Sequence, residues 1–263
     1  MSSSHGVPVS GNLLIDHQHG HLTELIRSAA NCARGHGDGS GFRRAVQAFA
    51  AALSAHFAHE GVILRGAGYG DAHEHHATHR AILKRFDAIL GGLHDLAGSE
   101  ARHLLVDEME RILFDHELRE DAGYWDTLRE NGRAAALTWE DRLEIGIDWI
   151  DEQHRHLVAL IAELAAAGAQ AGRETVIAEL MERFLRHARQ HFAAEERLLD
   201  SWGRPVSSHR AEHVRLLDEI DDLTLAVGSN PRVLVDHYLR FWIIDHIKDQ
   251  DMRDFADQPV SVG

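Results

Sequence analysis

The sequence predicts an all-α protein built as two tandem up-and-down four-helix bundles, residues 1–130 and 131–263. Three observations lead there. Ala, Leu, Glu and Arg are abundant, only 4 prolines occur in 263 residues, and β-branched runs are scarce, a composition that favours helix. Apolar residues recur at three- and four-residue steps, which marks one face of a helix. A set of seven polar residues occurs twice: His19, His56, Glu60, His75, His79, His116 and Asp121, then His154, His191, Glu195, His209, His213, His246 and Asp251. The opening His–His step of 37, the His–Glu step of 4, the inner His–His step of 4 and the final His–Asp step of 5 are the same in both halves. Such repetition divides the chain into two copies of one unit.

In the first half, Ile15, His19, Leu22 and Ile26 form the first stripe, and a Gly-rich loop follows at Gly35 to Gly41. Phe42, Phe49, Leu53, His56 and Glu60 make the second, ended by a break from Gly66 to Asp71. His75, His79, Ile82, Phe86 and Leu93 make the third, and Met109, Ile112 and His116 the fourth. The stretch from Gly123 to Thr138, with its Asn131-Gly132 pair, reads as the interdomain connection, part of which could prolong the fourth helix. In the second half the stripes are Ile150, His154, Leu157, Ile161 and Leu164; then Ile177, Leu180, Phe184, His191 and Glu195; then, past Gly203 and Pro205, His209, His213, Leu216, Ile220 and Leu223. Ser229, Asn230 and Pro231 supply the start of the last helix, which carries Val235, Leu239, Trp242 and His246. Each polar residue of the repeated set continues an apolar stripe, so it faces the bundle core.

Composition narrows the function. A net charge of −15 argues against a nucleic-acid partner. The single cysteine, Cys32, excludes an internal disulfide and Cys-rich zinc or iron–sulfur sites. Met1 to Gly11 lacks the pattern of a signal peptide, and no run of 18 apolar residues predicts a membrane span. The expected compartment is cytoplasmic. Histidine is in surplus: of 22, ten belong to the repeated set, and nine of the rest lie in the first half, His17 and His59 among them.

Residues four apart share a helix face. His75 with His79, and His209 with His213, can therefore bind one metal from one helix, while His56–Glu60 and His191–Glu195 offer a nitrogen and a carboxylate to the same cavity. Four-helix bundles build metal sites from such inward side chains. Five imidazoles and two carboxylates suffice for two adjacent ions, and this donor mix suits iron, with zinc or manganese less decisive. Buried without a metal, the same groups would cost more than a small core can offset. A zinc-protease helix needs Glu directly after the first His, where this chain has His76 and Arg210. Ferritin-like sites need paired Glu-x-x-His, and Glu100–His103 stands alone among the helices.

The motifs Asp151-Glu152-Gln153-His154, His191-Phe192-Ala193-Ala194-Glu195-Glu196, His209 with His213, and Trp242-Ile243-Ile244-Asp245-His246-Ile247 ending at Asp251 resemble the hemerythrin family, of the bacteriohemerythrin kind, over roughly residues 12–121 and 139–254. The resemblance implies a non-haem di-iron centre per domain, four irons per chain, binding O2 reversibly. By that likeness Glu195 and Asp251 bridge two irons together with an oxo or hydroxo group. His209, His213 and His246 complete one iron, and His154 and His191 hold the other, with a position left open for O2. The first-half counterparts are Glu60 and Asp121 as bridges, His75, His79 and His116 on the saturated iron, and His19 and His56 on the open one. Asp16 and Asp151, three residues before the first ligand, are expected to orient an imidazole. Leu22, Phe57 and Glu117, with Leu157, Phe192 and Ile247, are expected to line the O2 pockets.

The halves differ at Glu117 against Ile247 and at Ile112 against Trp242, and the first lacks the entry segment around Trp139 and Trp149. An acid at an open iron could donate a proton or occupy the open position. The readings that follow are an O2 binder for storage, delivery or scavenging, then a di-iron oxidase, peroxidase or nitric oxide-reactive enzyme centred on the first half, then a sensor acting through a partner.

Overall fold

The computed structural model describes residues 9–34, 39–91, 99–132, 137–227 and 231–256. His5, His36, His94, Ser229 and Asn230 lie outside them, as does the side chain of Glu117. All regular elements among the described residues are helical. The chain divides into two units, Met1–Arg133 and Ala134–Gly263.

Asn12 starts the first unit. Its side-chain oxygen accepts the N–H groups of Leu14 at 2.9 Å and Ile15 at 3.3 Å, which satisfies donors that a helix start leaves open. The helices are α1 (Leu13–Arg34), α2 (Ser40–Gly66), α3 (Ala72–Gly91) and α4 (Ser99–Arg119). Next come a 3₁₀ turn over Asp121–Gly123 and a short α5 (Trp125–Gly132). Helix α1 packs on α2 and α4, and α2 on α3. Leu22, Ile26, Phe49, Leu53, Phe86 and Met109 fill the core between them, with Phe49 and Phe86 edge to face at 5.5 Å. Helix α5 is separate from α4 and not its continuation. It buries Leu128 and sends Arg129 to the Val9 carbonyl at 3.2 Å. This part of the expected connection therefore folds with the first unit.

The second unit holds α6 (Asp148–Gly168), α7 (Glu174–Ser201), α8 (Ser207–Val227) and a last helical stretch over 231–254, here α9. Helix α6 packs on α7 and α9, α7 on α8, and α8 on α9, which closes a four-membered bundle. Within α9, α-helix alternates with π-helix at Val235–Leu239 and His246–Asp251.

The turn after the second helix is built the same way in both units. Gly68 (φ 77°) and Gly203 (φ 68°) adopt the left-handed conformation that ends a helix at no steric cost only for glycine. Tyr69 N–H bonds Leu64 O at 2.9 Å and Gly68 N–H bonds Arg65 O at 3.0 Å. Arg204 N–H bonds Leu199 O at 3.0 Å and Gly203 N–H bonds Asp200 O at 2.9 Å. This pair of bonds fixes where α3 and α8 begin, and so where their paired histidines sit.

Candidate metal centres

In the second unit, Glu195 on α7 lies fully buried at the centre of five imidazoles. Its Oε1 faces His154 Nε2 at 3.6 Å and His191 Nε2 at 3.3 Å. Its Oε2 faces the Nε2 atoms of His209, His213 and His246 at 3.6, 3.3 and 3.7 Å. Asp251 spans the same two sides, with Oδ2 3.2 Å from His154 Nε2 and Oδ1 3.4 Å from His246 Nε2. Two groups able to hold an ion result, His154–His191–Glu195–Asp251 and Glu195–His213–His246, and they share Glu195.

Local geometry delivers these side chains. His191 and Glu195 are one turn apart on α7, as are His209 and His213 on α8. His246 and Asp251 are five apart, which on an α-helix would leave them about 140° out of register. The π-helical stretch His246–Asp251 narrows that offset, because i→i+5 bonding widens the turn and brings residues five apart toward the same face. The first unit solves the same problem by ending α4 at Arg119 and placing Asp121 at the head of the 3₁₀ turn.

There, Glu60 Oε2 lies 2.9 Å from His79 Nε2 and 3.4 Å from His75 Nε2. Asp121 Oδ1 lies 3.1 Å from His116 Nε2 and 3.4 Å from His75 Nε2. His79 and His116 meet Nε2 to Nε2 at 2.8 Å. Among the described residues, Glu60, His75, His79, His116 and Asp121 form one group able to hold an ion. His19 and His56 meet each other Nε2 to Nε2 at 3.2 Å.

Residues behind the imidazoles differ more. His56 Nδ1–H donates to Gln18 Oε1 at 3.2 Å, and His191 Nδ1–H to Gln153 Oε1 at 3.0 Å. Such bonds leave Nε2 as the ligand atom. In the second unit, His209 Nδ1–H also donates to Asp254 Oδ2 at 2.9 Å and His213 Nδ1–H to Glu196 Oε1 at 3.1 Å. Aligned on the repeat, Glu196 corresponds to Gly61 and Asp254 to Tyr124. The Tyr124 hydroxyl donates instead to Glu60 Oε1. Of these orienting groups, Gln153 and Glu196 stand inside the sequence motifs and Tyr124 lies three residues past Asp121. Spacing alone gave them no role, because each acts across helices.

Asp16 and Asp151 do other work than expected. Asp151 accepts the N–H groups of Ile145 at 2.8 Å and Gly146 at 3.1 Å. Its oxygen stays 4.0 Å from His154 Nδ1, too far for a hydrogen bond. Asp16 accepts from Ser10 N–H at 2.7 Å and Ser10 Oγ–H at 2.8 Å. Both carboxylates fasten the segment entering the first helix of their unit.

Leu22, Phe57, Leu157, Phe192 and Ile247, expected to line the O2 pockets, are all buried. Phe57 stacks on His79 and Phe192 on His213, each at 3.8 Å between ring centres. His59, of ambiguous role in the sequence, is buried and accepts from Gln18 Nε2–H at 2.7 Å.

Charge separates the units further. Burial pulls His154 down, but the facing Asp251 and Glu195 carboxylates outweigh it and raise its pKa to about 9. Burial is likewise outweighed at His209, where Glu195, Asp251 and Asp254 raise it to about 9. Burial prevails at His191 and, in the first unit, at His19, His56, His79 and His116. It lowers His19 and His79, and with neighbouring imidazoles it holds His116 down to about 3.

The second cavity fits a metal on its own evidence. The Nε2 atoms of His154, His191, His209, His213 and His246, and all four oxygens of Glu195 and Asp251, are buried without a hydrogen bond. At about 1–3 kcal/mol per unsatisfied group, that cost rivals the whole stability of a domain, about 5–15 kcal/mol. Metal coordination by these atoms would remove it.

Residues 11–128 and 145–256 each match the hemerythrin HHE cation binding domain. Bacteriohemerythrins of Stenotrophomonas maltophilia R551-3 and Pseudomonas aeruginosa LESB58 are both 31% identical, over 127 and 121 residues. These matches cover 47% and 44% of this chain and 82% and 78% of those proteins. A hemerythrin-like protein of Naegleria gruberi is 28% identical over 118 residues, 44% of this chain and 89% of that one. No solved structure matches the chain at a significant level. Two matched regions, two helical bundles and two His/Glu/Asp clusters together place the chain in the hemerythrin family of non-haem iron-binding domains, in tandem.

Proposed function

We propose that this chain binds O2 reversibly, and that the second domain carries the O2-binding di-iron centre. The observation that carries the reading is the spanning of both carboxylates. Glu195 and Asp251 each turn one oxygen toward the His154 side and the other toward the His246 side, the arrangement two adjacent ions require. His154 and His191 supply two nitrogens on one side and His209, His213 and His246 three on the other, so the two-nitrogen side is the one with a position to spare. Iron held there would supply the redox chemistry that O2 binding needs.

The protein's own residues do the rest. Gln153, Glu196 and Asp254 fix imidazole orientation. Phe192 stacks on His213 and Trp242 on His246, and with the buried Leu157 and Ile247 they would keep water from the cavity and protect a reversible ligand from proton delivery. The corresponding seven residues of the first domain make room for a second centre, up to four irons per chain.

The test is an anaerobic, reduced, iron-loaded chain titrated with O2 and followed optically. Uptake that reverses on removing O2, and that is lost in Glu195→Ala with the fold retained, supports the reading. Rapid consumption of O2 or peroxide with a reductant and no reversible phase would replace it with an oxidase or peroxidase.

A further inference from the structure

Glu60 and Glu195 occupy the same place in the repeat, yet their carboxylates are committed differently. Both oxygens of Glu195 look into the metal cavity, one to each side. Only Oε2 of Glu60 does so, facing His75 and His79. Its Oε1 accepts the hydroxyl of Tyr124, a fully buried side chain. The 3₁₀ turn brings this about. Its i→i+3 bond, Tyr124 N–H to Asp121 O at 3.1 Å, puts Asp121 and Tyr124 on one side of the backbone, so the residue that completes the cluster also sends the phenol to its other carboxylate. The ring is held edge-on against His75 at 5.5 Å and Tyr69 at 6.1 Å between centres. On the far side, His19 and His56 are joined Nε2 to Nε2.

We infer that Tyr124 reserves one oxygen of Glu60, so that the first domain holds one ion tightly, on His75, His79, His116, Asp121 and Glu60 Oε2, and fills its His19–His56 side only weakly. A carboxylate bridges two ions by offering one oxygen to each. An oxygen that accepts a phenolic hydrogen bond is a poorer donor to a cation, and the second ion must compete with that bond. The second domain has Asp254 at the aligned position, where it bonds His209 and leaves Glu195 free to span. Tyr124 is thus a positioning residue that sets the metal count of its domain, and the inference rests on the reading that these clusters hold metal.

The test is calorimetric titration of the metal-free full chain with Co(II), with bound metal counted by equilibrium dialysis, for the unaltered chain and Tyr124→Phe. The substitution removes only the hydroxyl and keeps the packed ring. The unaltered chain is expected to take about three tight equivalents and a fourth about 10- to 100-fold weaker. In Tyr124→Phe the fourth is expected to tighten by about tenfold or more while the other three hold. Four equivalents of equal affinity in the unaltered chain would overturn the inference without any variant, and so would an unmoved fourth equivalent in folded Tyr124→Phe. No tight equivalent in either protein would overturn the metal reading itself, and this inference with it.

Discussion

The two domains share seven candidate ligands, the turn at Gly68 or Gly203, the glutamine behind the α2 or α7 histidine, and the phenylalanine stacked under the α3 or α8 histidine. They part in what surrounds those ligands. The second domain keeps its last helix continuous through a π-helical stretch and backs His209 and His213 with carboxylates. The first interrupts the helix, loses both carboxylates to Gly61 and Tyr124, and turns the phenol onto Glu60. A ligand set can be duplicated while its supporting groups diverge, because all the ligands must converge on one cavity whereas each supporting group bonds a single side chain from outside it.

Packing gives the largest expected effect. Trp242 is fully buried against Phe184, Phe192 and His246, whereas Ile112 holds the aligned place in the first domain. Trp242→Ala should cost the second domain about 3–5 kcal/mol and Ile112→Ala should sit nearer the low end of about 2–5 kcal/mol in the first. Urea unfolding of the full chain checks both. Equal losses would mean that the two cores are packed to the same degree around their clusters.

Metal removal comes next. With free ion 100-fold above its dissociation constant, one bound ion stabilises by about 2.7 kcal/mol. The second domain, if its nine unpaired atoms hold the two ions proposed, should lose more on chelation than the first. Thermal unfolding followed by hydrogen exchange of each domain's amides separates the two losses, and a larger loss in the first domain would reverse the comparison.

Supporting carboxylates follow. Glu196→Ala and Asp254→Asn should each weaken metal binding at the second centre by about 10- to 100-fold, leaving the first unchanged, as read by Co(II) titration. The converse graft, Gly61→Glu, has a smaller effect. An added Cβ there meets the flexible end of Arg65 at 3.1 Å and His76 Nδ1 at an ordinary 3.9 Å. Replacing a mid-helix glycine should stabilise α2 by about 0.5–1 kcal/mol, and a carboxylate behind His79 should tighten the first centre several-fold. Tightening without the stability gain would indicate a strained α2 at that position.

The four long helices of each domain, their order, the inward stripes and the burial of all fourteen candidate ligands are legible in the sequence, because each depends on local periodicity and on a repeat with fixed steps. Ile150, His154, Leu157, Ile161 and Leu164 step along one face, and all five are buried. Legibility stops where partners lie far apart in sequence. Nothing in the spacing separates Asp151 as a clamp on Ile145 and Gly146 from Asp151 as an imidazole acceptor, since three residues along a helix serve either role. The reach of Tyr124 across 64 residues to Glu60 is likewise set by the turn at Asp121. The sequence by itself determined which side chains face each core. Only the tertiary structure decided which oxygen and which nitrogen each one turns to its neighbour, because that depends on how separate helices end and meet.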